Sequence, residues 1–443
     1  MAKLVFTDKN FAGRVYELLL EKTTVGRGDH NTLVIHDNSL SSSHCEILMH
    51  GSEIIVRDLD SLNGTFVGGS YTGRDQGRPA MVSEWTLQVQ RELANDLILT
   101  VGYLGNHAQN LRSGVQNINN IPASDFSLGD QLTQPVANNT AGVTAPFPGF
   151  ATLWGPGGQV QQALRPFPQY GFIATDCCLQ NVGMSSYEAL LVSVNRRFRD
   201  GLNLQASYTW SKTLTDADSA LPGINGGVGQ EQNPSNLHQE KALSSQDIPR
   251  TLVLSWIYQL PFGQGRKWLN NGFAGRVLGG WDLGAVQRYM SGEPISFRCA
   301  SGIPGWDNCI YFTRVADQSL KSAAYASGSL NLANGDVMFN RGAFTDLNLE
   351  SVRNGAPFTF GNIPRVTGEA RNWPYYNEDF SITKSVPIRE RLSLSLRFEL
   401  LNVFNRHVFG IPDTQPNDGS NFGRPTFTID TPRNVQIFGR LTF

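Results

Sequence analysis

The sequence of 443 residues has few charges, almost no net charge and no long apolar run. Charged residues are 17% of the chain, below the roughly one quarter that globular proteins carry. A net charge of −2 gives no basic field, so no nucleic-acid partner is predicted. No apolar run reaches about 18 residues, which excludes a transmembrane helix. The first residues lack an apolar core followed by a small-residue cleavage site, so no signal peptide is predicted.

Motifs that carry chemistry are also missing. No serine stands in a Gly-x-Ser-x-Gly elbow, no histidine pair has metal spacing, and no P-loop is present. We therefore predict no enzyme activity, no cofactor and no metal site, and a soluble all-β enzyme is the least favoured class. The aspartates Asp216, Asp218 and Asp247 are interpreted as solvated loop charges, with an outer binding site as the alternative.

The five cysteines lack metal-ligand spacing. Cys299 and Cys309 flank a loop rich in glycine and proline, and a disulfide between them would contribute roughly 3 kcal/mol in a chain-entropy estimate. The sequence leaves this pairing open. Cys177 and Cys178 are adjacent and are not expected to bridge to each other.

The end of the chain shows a strong pattern. From Asn434 to Phe443, apolar or small residues stand at every second position, and polar residues stand at most of the positions between them. Such alternation is typical of a strand with one apolar face. A strand of this length fits the roughly 9–11 residues that cross a membrane in a β-barrel. A half-buried strand of a soluble sandwich is the alternative, so the number and length of strands must decide.

The same alternation recurs upstream. In Arg391–Leu400 an unbroken apolar face lies opposite one with two arginines and a glutamate, as expected where lipid meets one side of a wall and a watery lumen the other. Short and long connections alternate, which places short turns in the periplasm and long loops outside. Trp210, Trp256, Tyr258, Trp281 and Tyr289 could form interfacial girdles, with core packing as the alternative. The predicted strands are Ser83–Leu93, Asp96–Asn106, Tyr187–Phe198, Leu202–Thr213, Pro249–Leu260, Leu278–Met290, Phe380–Pro387, Arg391–Phe404 and Arg433–Phe443.

Several of these strands carry family motifs. Glu84–Leu93, Val101–Gly105, Asn195–Phe198, Ala206–Lys212 and Leu401–Asn405 together resemble the barrel of Oar-like TonB-dependent transporters. The resemblance implies an outer-membrane protein in contact with lipid, which takes up substrate with energy delivered through TonB. The terminal Phe443 resembles the insertion signal read by the barrel-assembly machinery. That family has a plugged barrel of about 22 strands; this chain supplies roughly ten to twelve strands of the kind expected there, and no plug.

The first 69 residues have a different pattern. Short β-type runs at Lys3–Phe6, Arg14–Leu20, Thr32–Ile35, His44–Met49 and Glu53–Asp58 are separated by turn residues, as in a small all-β sandwich. Gly26-Arg27, then a serine three residues before a histidine, then Asn63-Gly64 follow in order. These marks resemble the forkhead-associated (FHA) domain.

The FHA resemblance implies recognition of a phosphothreonine peptide. Arg27 would pair with the phosphate, Ser41 would add a hydroxyl hydrogen bond, and Asn63 would bond the peptide backbone. Ser42 stands where the family often has an arginine and is counted with the binding residues. The residues expected to be architectural are Gly26, His44 and Gly64. The match stops near Gly69, before the strands that would close the sandwich.

The predicted fold is therefore all-β, a partial FHA sandwich followed by an incomplete antiparallel outer-membrane barrel with long loops. Residues 1–69 form the truncated FHA domain, 70–80 a junction, and 81–443 the barrel portion. The leading hypothesis is a transporter barrel fragment fused to a phosphothreonine-binding module, either by gene fusion or by a sequence reconstruction error. The alternative is a cytoplasmic phosphopeptide reader with a non-functional barrel-derived tail.

Overall fold

The structure is a computed structural model of the chain. It describes residues 2–5, 14–18, 20–37, 40–50, 53–62, 65–67, 70–71, 79–94, 96–111, 117–155, 157–173, 181–217, 231–233, 236–389 and 392–443. The predicted site residues Asn63 and Gly64, the adjacent Cys177 and Cys178, and Asp218 lie outside these ranges.

Strands dominate the described residues. The N-terminal strands are β1 (Ala2–Val5), β2 (Val15–Leu18), β3 (Lys22–Gly26), β4 (Leu33–Val34), β5 (Cys45–His50), β6 (Glu53–Asp58), β7 (Phe66–Val67) and β8 (Ser70–Tyr71). The later strands are β9 (Met81–Ala94), β10 (Leu97–Leu111), β11 (Gly183–Arg199), β12 (Leu202–Thr215), β13 (Ala242–Leu243), β14 (Arg250–Gln259), β15 (Trp281–Met290), β16 (Pro294–Ile295), β17 (Thr313–Arg314), β18 (Phe344–Thr345), β19 (Thr367–Arg371), β20 (Tyr375–Arg389), β21 (Leu392–Leu401) and β22 (Asn434–Thr442).

The described helices are short and lie in the connections. The α-helices are α1 (Phe150–Trp154), α2 (Val160–Ala163), α3 (Leu237–Glu240), α4 (Gly272–Leu278), α5 (Ala323–Ser327) and α6 (Leu347–Asn354). Turns of 3₁₀-helix lie at Ala123–Thr133, Val136–Asn138, Leu332–Asn334 and Arg341–Ala343. No helix in the described part of the chain is long and apolar enough to cross a membrane.

The N-terminal strands make a small layered unit. A four-stranded sheet has the order β4-β3-β5-β6, and the β1–β2 hairpin lies beside it. Leu18 of that hairpin packs with Val25, Cys45 and Ile47 of the larger sheet, and all four are buried. Burial raises the pKa of the Cys45 thiol. The core is small because few of its described side chains are fully enclosed, which limits the hydrophobic stabilisation it supplies.

The later strands build one large antiparallel sheet. Its order is β22-β21-β20-β15-β14-β12-β11-β10-β9, with β13 paired to the end of β12. The strands joined by the longest connections, β10 to β11, β12 to β14, β15 to β20 and β21 to β22, meet at one end of the sheet. The strands joined by short turns, β9 to β10, β11 to β12 and β20 to β21, meet at the other end, where the connection 260–280 between β14 and β15 also lies. The described sheet is open, with β9 and β22 as its two edges. The prediction of an all-β fold with an incomplete antiparallel barrel is confirmed.

Several predicted strands have wrong bounds: β20, for example, begins at Tyr375 rather than Phe380, and two further errors have a clear local cause. Leu278 ends α4, and β15 begins only at Trp281 because Gly280 has φ +71° and turns the chain between them. The strand predicted to reach Phe404 ends at Leu401, since Asn402 adopts φ +49°. The strand β3 was absent from the predicted set, because Lys22–Gly26 contains two threonines and a single large apolar residue.

The turn between β11 and β12 follows from its sequence. Asp200 has φ +51° and Gly201 has φ +82°, so both central residues are left-handed. This conformation matches the right-handed twist of the flanking strands and favours the pair Asp-Gly. A Cβ on Gly201 would also lie 2.6 Å from the carbonyl oxygen of Gln259. Glycine is therefore required here for two separate reasons.

The described parts of the long connections fold together into a layer that we call the loop cap, formed by the described residues within 117–173, 231–249, 291–374 and 402–433. Two apolar clusters fill it. One contains Ile295, Phe297, Phe312, Leu320, Met338, Phe339, Ala343, Ile363, Ala370 and Phe422. The other contains Ile121, Phe126, Leu132, Val160, Ile303, Trp306, Ile310 and Phe358. Because each cluster joins residues from different connections, the long loops are held against one another by apolar burial.

Candidate functional site

Three loops meet at one end of the N-terminal sheet. The backbone N–H of Arg27 donates to the carbonyl oxygen of Ser41 at 2.9 Å, and that of Gly28 donates to Ser42 at 2.9 Å. The N–H of Leu62 donates to the Ser41 hydroxyl oxygen at 2.8 Å. Arg27 and Ser42 are exposed and Ser41 is half-buried. The structure thus brings together three of the four predicted binding residues; the fourth, Asn63, lies outside the described residues.

Two residues expected to be architectural hold these loops. His44 is buried, and its Nδ1 accepts from the backbone N–H of Ser41 at 3.2 Å. A Cβ on Gly26 would lie 2.4 Å from the carbonyl oxygen of Ser42, so the two loops can approach only at a glycine. Asn31, which the sequence did not single out, donates to the carbonyl oxygens of Gly28 and Ser42 at 2.7 and 2.6 Å.

The large sheet has one apolar face. Rows of directly paired positions share a face, because pairing across strands preserves the side of the sheet. One row crosses seven strands and contains Val89, Val101, Val192, Tyr208, Leu252, Tyr289 and Tyr376. A second crosses six strands and contains Leu202, Tyr258, Leu283, Ile382, Phe398 and Ile437. Every member of both rows is apolar or aromatic, and the two rows together reach all nine long strands.

The opposite face is mainly polar. The row next to the first contains Gln90, Thr100, Ser193, Ser207, Val253, Arg288 and Asn377. A row next to the second contains Gln259, Asp282, Thr383, Arg397 and Phe438. A wall with one apolar and one polar face separates lipid from a watery interior.

The five aromatics predicted as girdles share the apolar face. Trp210 and Tyr289 lie toward the end that carries the loop cap, and Trp256, Tyr258 and Trp281 lie toward the short turns. Trp210 is 58% exposed, which core packing does not explain. Their role at the two membrane interfaces stays a prediction.

The cysteine pairing that the sequence left open is formed. Cys299 and Cys309 are joined by a disulfide, with their Cα atoms 5.3 Å apart. The bridge closes the loop that leads from the first apolar cluster of the loop cap to the second. Among the described cysteines, Cys45 is a buried free thiol.

A buried network of hydrogen bonds connects different segments of the loop cap. The Tyr311 hydroxyl donates to Glu240 Oε2 at 2.6 Å, and the Gln232 amide oxygen accepts from the backbone N–H groups of Tyr311 and Gly361. Arg365 is buried and donates to the carbonyl oxygens of Thr215 and Glu240. Burial and the Glu240 carboxylate raise the pKa of Tyr311, so the phenol stays protonated at neutral pH.

The interpretation of Asp216 and Asp247 as solvated charges is wrong. Both are buried, at 2% and 1% exposure. Asp247 pairs with Arg371 at 2.7 Å and accepts from the backbone N–H of Thr213, while Asp216 accepts from that of Met184. Burial raises the pKa of Asp216. The chain buries them because each satisfies backbone donors where a strand passes into the loop cap.

One interaction was missed from the sequence. Glu378, on the apolar face of β20, is 1% exposed and pairs with Arg406 of the loop cap at 2.8 Å. A buried carboxylate on the apolar face of a strand needs an oppositely charged or hydrogen-bonding partner. The acidic residue Glu378 at such a position could therefore have indicated this contact. It was not used because the predicted strand began at Phe380, two residues later.

The fold and its two faces define an outer-membrane β-barrel protein. The family described as "Outer membrane beta barrel domain" matches residues 52–436. The chain belongs to that family and is an outer-membrane protein.

The chain is also similar to FHA proteins over a short stretch. It is 39% identical over 64 residues to the FHA domain-containing protein FhaB of Mycobacterium tuberculosis, covering 14% of this chain and 41% of the relative. It is 38% identical over 65 residues to FhaB of Mycolicibacterium smegmatis, covering 15% of this chain and 42% of that relative. The chain thus spans less than half the length of these curated relatives.

Solved outer-membrane proteins are similar over most of this chain. The outer membrane transporter YddB from Escherichia coli has a TM-score of 0.38 and 8% identity, covering 86% of this chain and 35% of that one. The ferric citrate transporter FecA has a TM-score of 0.33 and 11% identity, covering 82% and 31%. The pyoverdine receptor FpvA from Pseudomonas aeruginosa has a TM-score of 0.33 and 11% identity, covering 90% and 36%.

Proposed function

We propose that this chain forms part of the barrel wall of a TonB-dependent transporter, a non-enzymatic protein that takes up substrate across the outer membrane. The supporting observation is the division of nine paired strands into an apolar face and a polar face. In this orientation the loop cap faces outside and the short turns face the periplasm. The polar face would line the path of the substrate.

The open sheet requires closure in this proposal. Among the described strands, β9 and β22 each lack a partner on one side. Unpaired backbone N–H and carbonyl groups in lipid cost several kcal/mol each. We propose that further strands complete the barrel on these two edges.

Outer-membrane assembly tests the proposal. The chain is expressed behind an export signal, membranes are fractionated, and migration on a gel is compared before and after heating. A folded barrel should enter the outer-membrane fraction and migrate faster unheated than heated. Recovery in the soluble fraction with no heat-dependent shift would contradict it.

We also propose that Phe443 is read by the barrel-assembly machinery. Phe443 is 88% exposed and follows directly after β22, so it is accessible for recognition. Removing it should reduce the heat-shifted fraction in cells, whereas removing the exposed Leu62 side chain by Leu62→Ala should not. Equal assembly of both variants would count against this partner.

The second candidate function is phosphothreonine recognition by the N-terminal loops. The meeting of Arg27, Ser41 and Ser42 on one loop surface favours it. An arginine fork matches a phosphate well, and a serine hydroxyl can add a second hydrogen bond.

Peptide binding tests this second function. A phosphothreonine peptide and its unphosphorylated form are titrated into the full chain. Arg27→Ala should abolish the difference between them, whereas Arg57→Ala, which removes an exposed arginine paired with Glu46, should keep it. Equal binding of the phosphorylated and unphosphorylated peptides by the unchanged chain would contradict phosphothreonine recognition.

We propose that the segments 1–69 and 81–443 derive from unrelated genes joined near 70–80. Two partial family patterns that adjoin along one chain support this proposal. Long sequencing reads across the source locus would distinguish a true fusion from a reconstruction error. A single uninterrupted frame in those reads would exclude the error.

A further inference from the structure

The chain enters the large sheet at the end that carries the loop cap. Met81, the first residue of β9, pairs with Gln109 near the end of β10. The carbonyl oxygen of Pro79 accepts from the side-chain amide of Asn110 at 3.4 Å, which holds the approach to β9 against the same end of β10. Because the connection that follows β10 contributes to the loop cap, the start of β9 lies beside the loop cap as well.

The two edge strands run in the same direction. Neighbouring strands of the large sheet are antiparallel, and β9 and β22 are the first and the ninth of its long strands. β22 begins after the connection 402–433 and ends beside the short turns, just before Phe443. The start of β9 and the residue Phe443 are therefore at opposite ends of the sheet.

A short hairpin joins the N-terminal strands to the large sheet. We call the strands β1–β8 the N-terminal unit and residues 72–80 the tether. The Thr65 hydroxyl donates to the Asp58 carboxylate at 2.7 Å, which holds the start of β7 against the end of β6. Phe66 and Tyr71 are paired partners in β7 and β8, so the chain between them advances only about 5 Å. The tether thus sets most of the distance between the unit and the sheet.

The tether is too short to carry the N-terminal unit to the end with the short turns. The chain from Tyr71 to Met81 spans at most about 36 Å when fully extended. β9 has 14 residues and is about 46 Å long. A tether that turned back along the sheet would therefore end before the short turns, even in a watery interior.

The sequence of the tether also excludes a path through lipid. It contains Arg74, Asp75 and Arg78, together with two glycines and Pro79, and it has no apolar alternation. Charged side chains and unpaired backbone groups both cost free energy in the hydrocarbon core, and the tether has no apolar face to offset that cost. The N-terminal unit must therefore lie on the side of the membrane that carries the loop cap.

We infer that the N-terminal unit is displayed outside the cell, where the surface formed by Arg27, Ser41 and Ser42 binds phosphothreonine peptides. The inference rests on both proposed functions, the barrel with its loop cap outside and the recognition of phosphothreonine. Arg27 and Ser42 are exposed on the described loops, so a peptide in the surrounding solution can reach them. A peptide in the periplasm cannot, because the membrane separates it from this surface.

Labelling of introduced cysteines locates the N-terminal unit. The variants are Glu21→Cys in the unit, Thr426→Cys in the loop cap and Gln264→Cys in the connection 260–280, and all three positions are exposed. Each full chain is expressed behind an export signal. Cells are treated with a membrane-impermeant maleimide while intact, and again after the outer membrane has been permeabilised. The unchanged chain has the same native cysteines and gives the background.

Glu21→Cys and Thr426→Cys should be labelled in intact cells, and Gln264→Cys only after permeabilisation. If Thr426→Cys is labelled in intact cells but Glu21→Cys is not, the inference is wrong and the proposed orientation stands. If Gln264→Cys is labelled in intact cells and Thr426→Cys is not, the orientation itself is wrong. Arg57→Cys, at another exposed position of the unit, takes the place of Glu21→Cys if that variant does not assemble.

Peptide binding to intact cells tests the ligand. A fluorescent phosphothreonine peptide and its unphosphorylated form are added to cells that carry the unchanged chain, Arg27→Ala or Arg57→Ala. Arg27→Ala should weaken binding of the phosphorylated peptide about tenfold or more, the usual effect of losing a hydrogen bond to a charged group. Arg57→Ala should bind as the unchanged chain does. Binding that appears only after permeabilisation would overturn the display outside the cell, and equal binding of the two peptides would overturn the ligand.

Discussion

The Arg406 guanidinium donates hydrogen bonds to both carboxylate oxygens of Glu378, with Nε 2.8 Å from Oε2 and Nη2 2.9 Å from Oε1. Glu378 lies on strand β20 of the large sheet and Arg406 lies in the loop cap, so this ion pair connects the sheet to the loop cap. The guanidinium also lies 5.6 Å from the ring centre of Tyr376 and 5.5 Å from that of Phe404. The Glu378 side chain is only 2% exposed whereas that of Arg406 is 42% exposed, so the carboxylate is removed from water and the guanidinium stays partly solvated.

Arg406→Met should destabilise the folded chain by about 2 kcal/mol, because it leaves the Glu378 carboxylate buried and unpaired. The double variant Arg406→Met with Glu378→Met should recover part of this loss, since no buried charge remains. The measurement is the midpoint temperature of the heat-dependent gel shift. Arg433→Met, at an exposed arginine before β22, is the control and should change little. A double variant less stable than the single one would contradict the argument.

Gly201→Ala should destabilise the β11–β12 hairpin by about 1–3 kcal/mol, the usual cost of a strained backbone position. The added Cβ would meet the Gln259 carbonyl oxygen at 2.6 Å and would disfavour φ +82°. Gly157→Ala is the matched control, because its added Cβ meets nothing within 4 Å. Denaturant unfolding of both variants in micelles measures the difference. Identical midpoints would show that the turn relaxes without cost.

Tyr311→Phe should loosen the loop cap, because Glu240 loses a hydrogen bond at 2.6 Å and remains buried. A hydrogen bond to a charged group contributes about 1.5–3 kcal/mol. Hydrogen exchange of amides in 231–249 and 291–374 should speed up, while that of the wall strands stays unchanged. Tyr170→Phe is the control, since Tyr170 is 57% exposed. Equal exchange rates in the two variants would mean that water replaces the lost hydroxyl.

Asp216 predicts a dependence of stability on pH. Burial raises the pKa of Asp216, so the folded chain holds this proton more tightly than the unfolded chain. The resulting stabilisation is complete below the ordinary pKa of about 3.9 and is lost as the pH rises through the folded value. Asp216→Asn lacks this titration, so its stability relative to the unchanged chain should grow with rising pH and then level off. Unfolding midpoints from about pH 3 to about pH 7 measure this difference. If the unfolding midpoints of Asp216→Asn and of the unchanged chain vary with pH in parallel, the pH dependence comes from other groups.

Much of the wall could be predicted from the sequence. The alternation in Thr251–Leu260 and Arg391–Leu400 gives the strands and their faces, because the period of two is a property of each strand alone. The pair Asp200-Gly201 gives a turn, because left-handed backbone is local chemistry. On the N-terminal surface, Arg27 and Ser41 were predicted from the FHA resemblance, and their binding role stays a prediction; Asn31 was missed since it is not among the residues that carry that resemblance.

The loop cap could not be predicted in the same way. Tyr311 and Glu240 are distant in sequence, as are Asp247 and Arg371, and no local sequence pattern predicts either contact. Solvation was therefore expected for Asp247, whereas the fold buries it against an arginine. The pairing of Cys299 with Cys309 was left open for the same reason.

The sequence by itself determined that the chain builds long strands with one apolar side, because side chains alternate on any extended backbone. Only the tertiary structure decided which strands lie side by side, how four long connections pack into one cap, and where charges such as Glu378 find partners. Those outcomes depend on contacts between residues far apart along the chain. Their free energy appears only once the packing has brought the residues together and excluded water between them.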